Sequence, residues 1–419
     1  MTISPARRWL LFTLVLLAGI LNIVDRQVIA VLKPVISEDL GWTDDDYGTL
    51  AAWFQGAAAV AFLVTGWIVD RLGVKWANPL GVIAWSIAAM AHGWARGMGE
   101  FIMARVALGA TEAMGTPGGV KTIAAIFPQH LRSLAFGLSN AVGSMGGVLG
   151  PLAIPVVAAF YGWRQAFFIA GFLGFVWALA WMLTSWRVRF DEPSRDASAT
   201  APAAAPHDGS ILRDRRTWAV AGAKTLSDAT WWLLLFWMPD FFHREFGLSG
   251  TALGPPLAFA YCGAAVGAII AGWTASRALA AGHTPNRVHK GTMLVSALLV
   301  LPIPFALTAE SPWSATAIFA VALAGHQGFS TALFGMIAEV TPSARIGRVT
   351  SFGAFCGNLG GMVIVKVAGL TLVAGLGYLP LLLFASMAYL LALGWIRLLL
   401  PAIEGAHRPL SVTIAAARR

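Results

Sequence analysis

Apolar residues fall along this chain in long runs broken by short polar stretches. Twelve runs can be counted, at roughly 9–31, 47–67, 76–95, 101–127, 134–160, 166–186, 218–240, 253–275, 288–308, 313–338, 347–373 and 377–400. A helix that crosses the hydrocarbon core of a bilayer needs about 20 such residues. The pattern predicts an all-α membrane protein with twelve transmembrane helices. The rhythm breaks once. Residues 187–216 are polar, with Ala, Pro, Ser and Asp crowded around 197–206. That composition reads as a linker without a core of its own. The expected organisation is a six-helix bundle at 1–186, a cytoplasmic linker at 187–216, a pseudo-symmetric six-helix bundle at 217–400 and a cytoplasmic tail at 401–419.

Composition agrees. The chain is 58% hydrophobic and only 12% charged, against about 25% charged in soluble domains. The net charge of +9 does not form a nucleic-acid-binding face, because Lys and Arg are spread among short loops. Placing the N-terminus in the cytoplasm puts most of them on that side, including Arg71, Lys75, Arg132, Arg277, Arg287, Lys290, Arg345 and Arg348. Both termini are then cytoplasmic, and Asp44, Asp45 and Asp46 fall outside. The first run follows Arg7 and Arg8 with no small-residue cleavage site, which reads as a retained helix rather than a signal peptide. Cys262 and Cys356 lie in apolar runs and read as small buried residues, with no disulfide framework or metal site.

Against this background the charges inside the runs stand out. Asp25 and Arg26 sit in the first run, where each charge costs about 2.5–3.5 kcal/mol on insertion scales. They are expected to face a protein interior or a wet cavity. Arg105 and Glu112 are seven apart in the fourth run and so share a helical face. Rise arithmetic puts Asp25 about 9 Å, Arg105 about 6 Å and Glu112 about 17 Å below the outer ends of their helices, so the four groups can share one cavity. Two acids and two arginines are nearly neutral together. Losing a proton or gaining an anion changes which pairs form.

Other polar groups join the candidate site. Asn22 and Gln55 are amides in the first two runs. Trp231 and Trp232 can stack on a ring or anchor at an interface. His326, Gln327 and Asn358 can bond ligand hydroxyls or simply satisfy helix backbone. Lys224 and Asp228 stand at i,i+4, as a brace or a gate. Lys366 either snorkels or pairs with Asp240. Glycines and prolines inside the runs (Pro117, Pro151, Pro155, Pro302 and Pro304, with Gly143, Gly146, Gly147, Gly357, Gly360 and Gly361) thin or break the helices, for close packing or for movement. The loop after the second run reads Gly66-Trp-Ile-Val-Asp70-Arg71-Leu-Gly73-Val-Lys75. Its glycines permit a tight turn, Asp70 can cap a helix end, and Arg71 and Lys75 can hold an anion. Gly272-Trp-Thr-Ala-Ser276-Arg277 occupies the matching place in the second half, as an internal repeat would.

With twelve spans and a central linker, this Gly-x-x-x-Asp-Arg-x-Gly loop resembles the major facilitator superfamily. Within it the chain looks most like the hexuronate transporters of the anion:cation symporter family. Asp25-Arg26-Gln27, Arg105 to Glu112, Pro117 to Lys121, Gly162 to Phe167, Asp228, Trp231-Trp232, Phe236-Trp237 and His326-Gln327 carry that likeness. The resemblance implies a monomer in the inner membrane that imports a sugar acid, such as a hexuronate or aldonate, with protons. It implies Asp25 and Glu112 as proton-binding acids, Arg26 as the carboxylate contact and Arg105 as the partner of Glu112. It implies no cofactor. Five positions depart from the family pattern. Ile23, Ala58 and Leu234 stand where tyrosines are usual, Asp240 where a Lys is, and Ala332 where an Asn is. Anion selectivity is thus better marked than the uronate itself, and a more apolar or aromatic carboxylate is an alternative cargo. An exporter or a transport-silent sensor of the same fold are rival classes. No nucleophile–base set marks an enzyme.

Overall fold

The computed structural model describes residues 4–127, 135–136, 138–139, 142–143, 145–186, 188, 190, 211–341 and 345–402. Most of the 187–216 linker, nearly all of the 401–419 tail and Arg132 lie outside the described residues. The described residues fold into helices: α1 (Pro5–Val31), α2 (Lys33–Leu40), α3 (Asp44–Trp94), α4 (Met98–Glu112), α5 (Gly115–Ile126), α6 (Met145–Tyr161), α7 (Trp163–Ser185), α8 (Arg215–Phe246), α9 (Gly254–Ala280), α10 (Pro285–Val300), α11 (Pro312–Val340), α12 (Ile346–Val373) and α13 (Leu379–Leu399), with short 3₁₀ turns between some of them. Among these residues, eight helical stretches are long and apolar enough to cross a membrane.

The helices follow the apolar runs, with differences that backbone chemistry explains. The second and third runs fuse into α3, whose 51 residues would span about 77 Å, more than twice the hydrocarbon thickness. One residue breaks it. Gly73 sits at φ 69°, ψ 154°, a region only glycine occupies without strain. Gly66 stays helical, so the expected turn is set by Gly73 alone. Pro79 cannot donate to the carbonyl of Lys75 four residues back, and the Trp181 indole takes that acceptor at 3.2 Å.

The fourth run, expected as one helix, is cut at Ala113–Met114 into α4 and α5. Pro117 lacks an N–H for the Ala113 carbonyl, so a continuous helix loses a rung there. The ninth run stops at Val300, and the chain continues as a 3₁₀ turn over Ile303–Thr308, where Pro302 and Pro304 remove donors.

Close packing explains the glycines of α12. A Cβ at Gly357 would overlap the Asp228 carboxylate, at Gly360 the Thr225 carbonyl and at Gly361 the Trp232 ring. They let α12 lie directly on α8. The cysteine expectation fails in part, since Cys262 is exposed and Cys356 only half-buried. In a bilayer the outward face is itself apolar, so a small thiol gains nothing by turning inward.

Candidate functional site

The break after α4 leaves Glu112 as the last residue of its helix, opposite α1. Arg26 Nε donates to Glu112 Oε2 at 2.6 Å. Asp25 lies within electrostatic reach of Glu112, Arg105 and Arg26. The four charges therefore converge as the spacing predicts. Their pairing differs from the expectation for Arg105. Its guanidinium is fully buried and makes no hydrogen bond from any of its three nitrogens. Glu112 faces α1, so Arg26 takes it. Arg105 instead lies over Phe54, 5.6 Å from the ring centroid. Arg26 lies over the same ring at 5.4 Å and over Trp232 at 5.3 Å.

Several other polar atoms around the centre are buried without a hydrogen-bond partner. They include Asp25 Oδ1, Glu112 Oε1, both amide atoms of Gln55, Asn22 Nδ2 and the Trp232 indole N–H. Buried polar groups are nearly always paired, and leaving one unpaired costs about 1–3 kcal/mol. A concentration of them at one level of a bundle is the mark of a place built to hold something polar.

A cavity of about 340 Å³ begins one helical turn from this cluster and runs along α1, α3, α5 and α6. Asn22, Ile23, Trp85, Met114, Trp231 and Gln327 are among its walls. Asn22 is one turn from Arg26, and Met114 is two residues past Glu112. Of the expected binding residues, Asn22, Trp231 and Gln327 reach the cavity. Asp25, Arg26, Arg105, Glu112, Gln55, Trp232, His326 and Asn358 do not line it. The four charges stand beside this cavity rather than among its lining residues. The rings of Phe54, Trp232 and Phe236 pack around the cluster.

The remaining candidates are held by local partners. His326 Nδ1 meets the Tyr389 hydroxyl at 2.6 Å, and its ring stacks on Trp231 at 4.9 Å. Tyr389 in turn donates to the Ser227 carbonyl at 3.1 Å. Asn358 donates to Ala354 one turn back on its own helix, at 2.8 Å. Lys224 and Asp228 form the i,i+4 pair at 2.7 Å. Asp70 caps no helix end, because it pairs with the Lys121 side chain of α5. Lys75 donates to the Trp186 carbonyl at 2.9 Å. Gly66 has open space around it.

A second charged cluster closes the opposite end of α3. Lys33 pairs with Asp240 and, at 2.7 Å, with Asp44. Arg244 reaches Asp240 at 2.7 Å and Asp44 at 2.5 Å. The Tyr378 hydroxyl donates to Asp240. The Lys33 ammonium lies between the rings of Tyr47 and Trp237, at 5.3 and 4.8 Å. Lys366 does not pair with Asp240. It reaches Asp45, and Thr49 at 2.8 Å, because α12 lies along α3 where Gly48 and Gly369 let the two backbones meet. This cluster ties the start of α2 and the start of α3 to α8, α12 and the residue before α13.

The Major Facilitator Superfamily family model matches residues 15–365 of the chain. The chain belongs to the major facilitator superfamily. As a member of it, and with its apolar helices, it is a multi-pass membrane protein. A D-galactonate transporter of Escherichia coli O6:H1 is 25% identical over 413 residues, covering 94% of this chain and 95% of the relative. A hexuronate transporter of Escherichia coli strain K12 is 25% identical over 414 residues, 92% of each chain. A galacturonate transporter of Dickeya chrysanthemi is 28% identical over 254 residues, 58% of this chain and 74% of the relative. A solved structure of a bacterial homologue of the human lysosomal transporter Spinster, inward-facing and occupied, superposes with a TM-score of 0.72. It covers 94% of this chain and 97% of that one at 18% identity, a likeness of fold alone.

Proposed function

We infer that this facilitator-superfamily protein imports an organic anion, in the first place a sugar acid such as a hexuronate or aldonate, together with protons. The names of its relatives support the substrate class. The observation that carries the coupling is the 2.6 Å bond between Arg26 and Glu112. Arg26 lies one helical turn from Asn22 in the cavity wall, and a carboxylate already occupies it. An ionised Glu112 therefore competes with a cargo carboxylate for the same fork of donors. Protonating Glu112 removes the competitor and leaves Arg26 without a counter-charge. A cargo carboxylate entering beside Asn22 then replaces it. The anion is held only with a proton aboard. Asp25, buried beside the same arginines, is the second proton acceptor.

The movement is alternating access between six-helix halves at 1–186 and 217–400, joined by the 187–216 linker, with twelve spans and cytoplasmic termini. The Lys33–Asp240–Arg244–Asp44 cluster is the outer closure, and breaking it opens the binding level to the outside. Lys224 and Asp228 brace α8 beside α12 on the cavity's second-half side.

One observation favours a second cargo. Ile23 lines the cavity together with Trp85, Trp177, Trp231 and Met114, so an aromatic or largely apolar carboxylate also fits. Proton uptake by proteoliposomes on adding each of a panel of uronates, aldonates and aromatic acids separates the cargoes. Proton uptake with none of these acids would refute the reading.

A further inference from the structure

At the end of the bundle remote from Lys33 and Asp44, the two members of the internal repeat adopt the same side-chain arrangement. Arg71 lies over the Trp67 ring, 4.8 Å from its centroid. Arg277 lies over the Trp273 ring at 4.3 Å. Each arginine is four residues past its tryptophan, in the last turns of α9 or of the arm of α3 that ends at Gly73. Both rings face outward, Trp67 at 60% and Trp273 at 56% exposure. In a membrane protein such a ring sits against lipid at the headgroup level.

Neither guanidinium makes a salt bridge or a hydrogen bond to a described residue. The sequence reaches that outcome in two different ways. Beside Arg71 stands an acid, but Asp70 is engaged by Lys121. Beside Arg277 the acid is absent, and Ser276 takes its place. Stacking on the indole covers one face of each guanidinium and leaves the planar edge of donors free. That edge matches a phosphate in a bidentate fashion, which a lysine cannot do.

We propose that Trp67–Arg71 and Trp273–Arg277 form a pair of equivalent binding sites for the headgroup phosphate of an anionic phospholipid, one on each arm of the repeat in the same leaflet. Free phosphate shares the chemistry but lacks the acyl chains that the two exposed indoles would contact. The occupant is therefore the lipid.

The test titrates the detergent-purified full chain with phosphatidylglycerol and, separately, with phosphatidylcholine, and counts retained lipids by native mass spectrometry. Wild type is expected to retain phosphatidylglycerol in preference. Each of Arg71→Gln and Arg277→Gln is expected to weaken that retention about fivefold, from the worth of one arginine near a lipid surface. The double variant is expected to lose the preference. Arg71→Lys and Arg277→Lys keep the charge without the planar fork, and intermediate retention is expected. They serve also where the Gln variants do not fold. An unchanged preference for phosphatidylglycerol in the folded double variant, Gln or Lys, overturns the proposal. So does inorganic phosphate displacing the lipid at equal concentration, which would mark an ion site rather than a lipid site.

Discussion

Replacing Asp240 by Asn removes a carboxylate that meets Lys33, Arg244 and the Tyr378 hydroxyl at once. Lys33 and Asp240 have side chains only 3% exposed, so this is a buried pair. Deleting one partner of such a pair costs about 3–5 kcal/mol. Here both cations keep Asp44, which argues for the low end, about 3 kcal/mol. That corresponds to about two orders of magnitude in the ratio of closed to open at this end. Thr49, which Lys366 holds across the α3–α12 seam, is the reporter position. In a background without Cys262 and Cys356, the alkylation rate of Thr49→Cys by an impermeant maleimide tracks the open fraction. Asp240→Asn should raise that rate about 100-fold. Adding Lys33→Met to it leaves Arg244 and Asp44 as a neutral pair, so the double variant should fall back toward the parent rate, a coupling that a double-mutant cycle reads directly. An unchanged rate in Asp240→Asn would refute the idea that these charges hold the end shut. A double variant as open as Asp240→Asn would refute the charge-balance argument.

Two further outcomes follow from local geometry. Gly73→Ala places a Cβ in a backbone region costing about 1–3 kcal/mol for any other residue, and a lower melting temperature in detergent checks it. Tyr389→Phe strands His326 Nδ1 between α8, α11 and α13 and removes the second donor from the Ser227 carbonyl, which keeps its helical bond. It should destabilise by about 1–3 kcal/mol, and the same melt measures it.

Runs of the right length marked the helices, and intramembrane charge marked the cluster, because both signals are one-dimensional. Asp25, Arg26, Arg105 and Glu112 could be brought together by counting rises along two helices. Which acid meets which arginine could not be counted. That depends on the rotation of α1 about its axis and on the break at Ala113–Met114. The Lys33–Asp240–Arg244–Asp44 cluster was invisible for a different reason. Asp44, Asp45 and Asp46 read only as acids on the outer side, yet two of them cross to distant helices, and Asp46 closes a capping box with Thr43. The tyrosines of the site, Tyr378 and Tyr389, sit near the end of the chain with no motif around them. The depth of the cavity relative to the charges is a packing property of Phe54, Trp232 and Phe236. No periodicity encodes it.

We propose that the Glu112 proton decides whether Arg26 can take a cargo anion. Glu112→Gln fixes the neutral form. In proteoliposomes with an imposed pH gradient, this variant is expected to exchange labelled cargo across the membrane while failing to accumulate it. Accumulation driven by the gradient at the wild-type level would contradict the account.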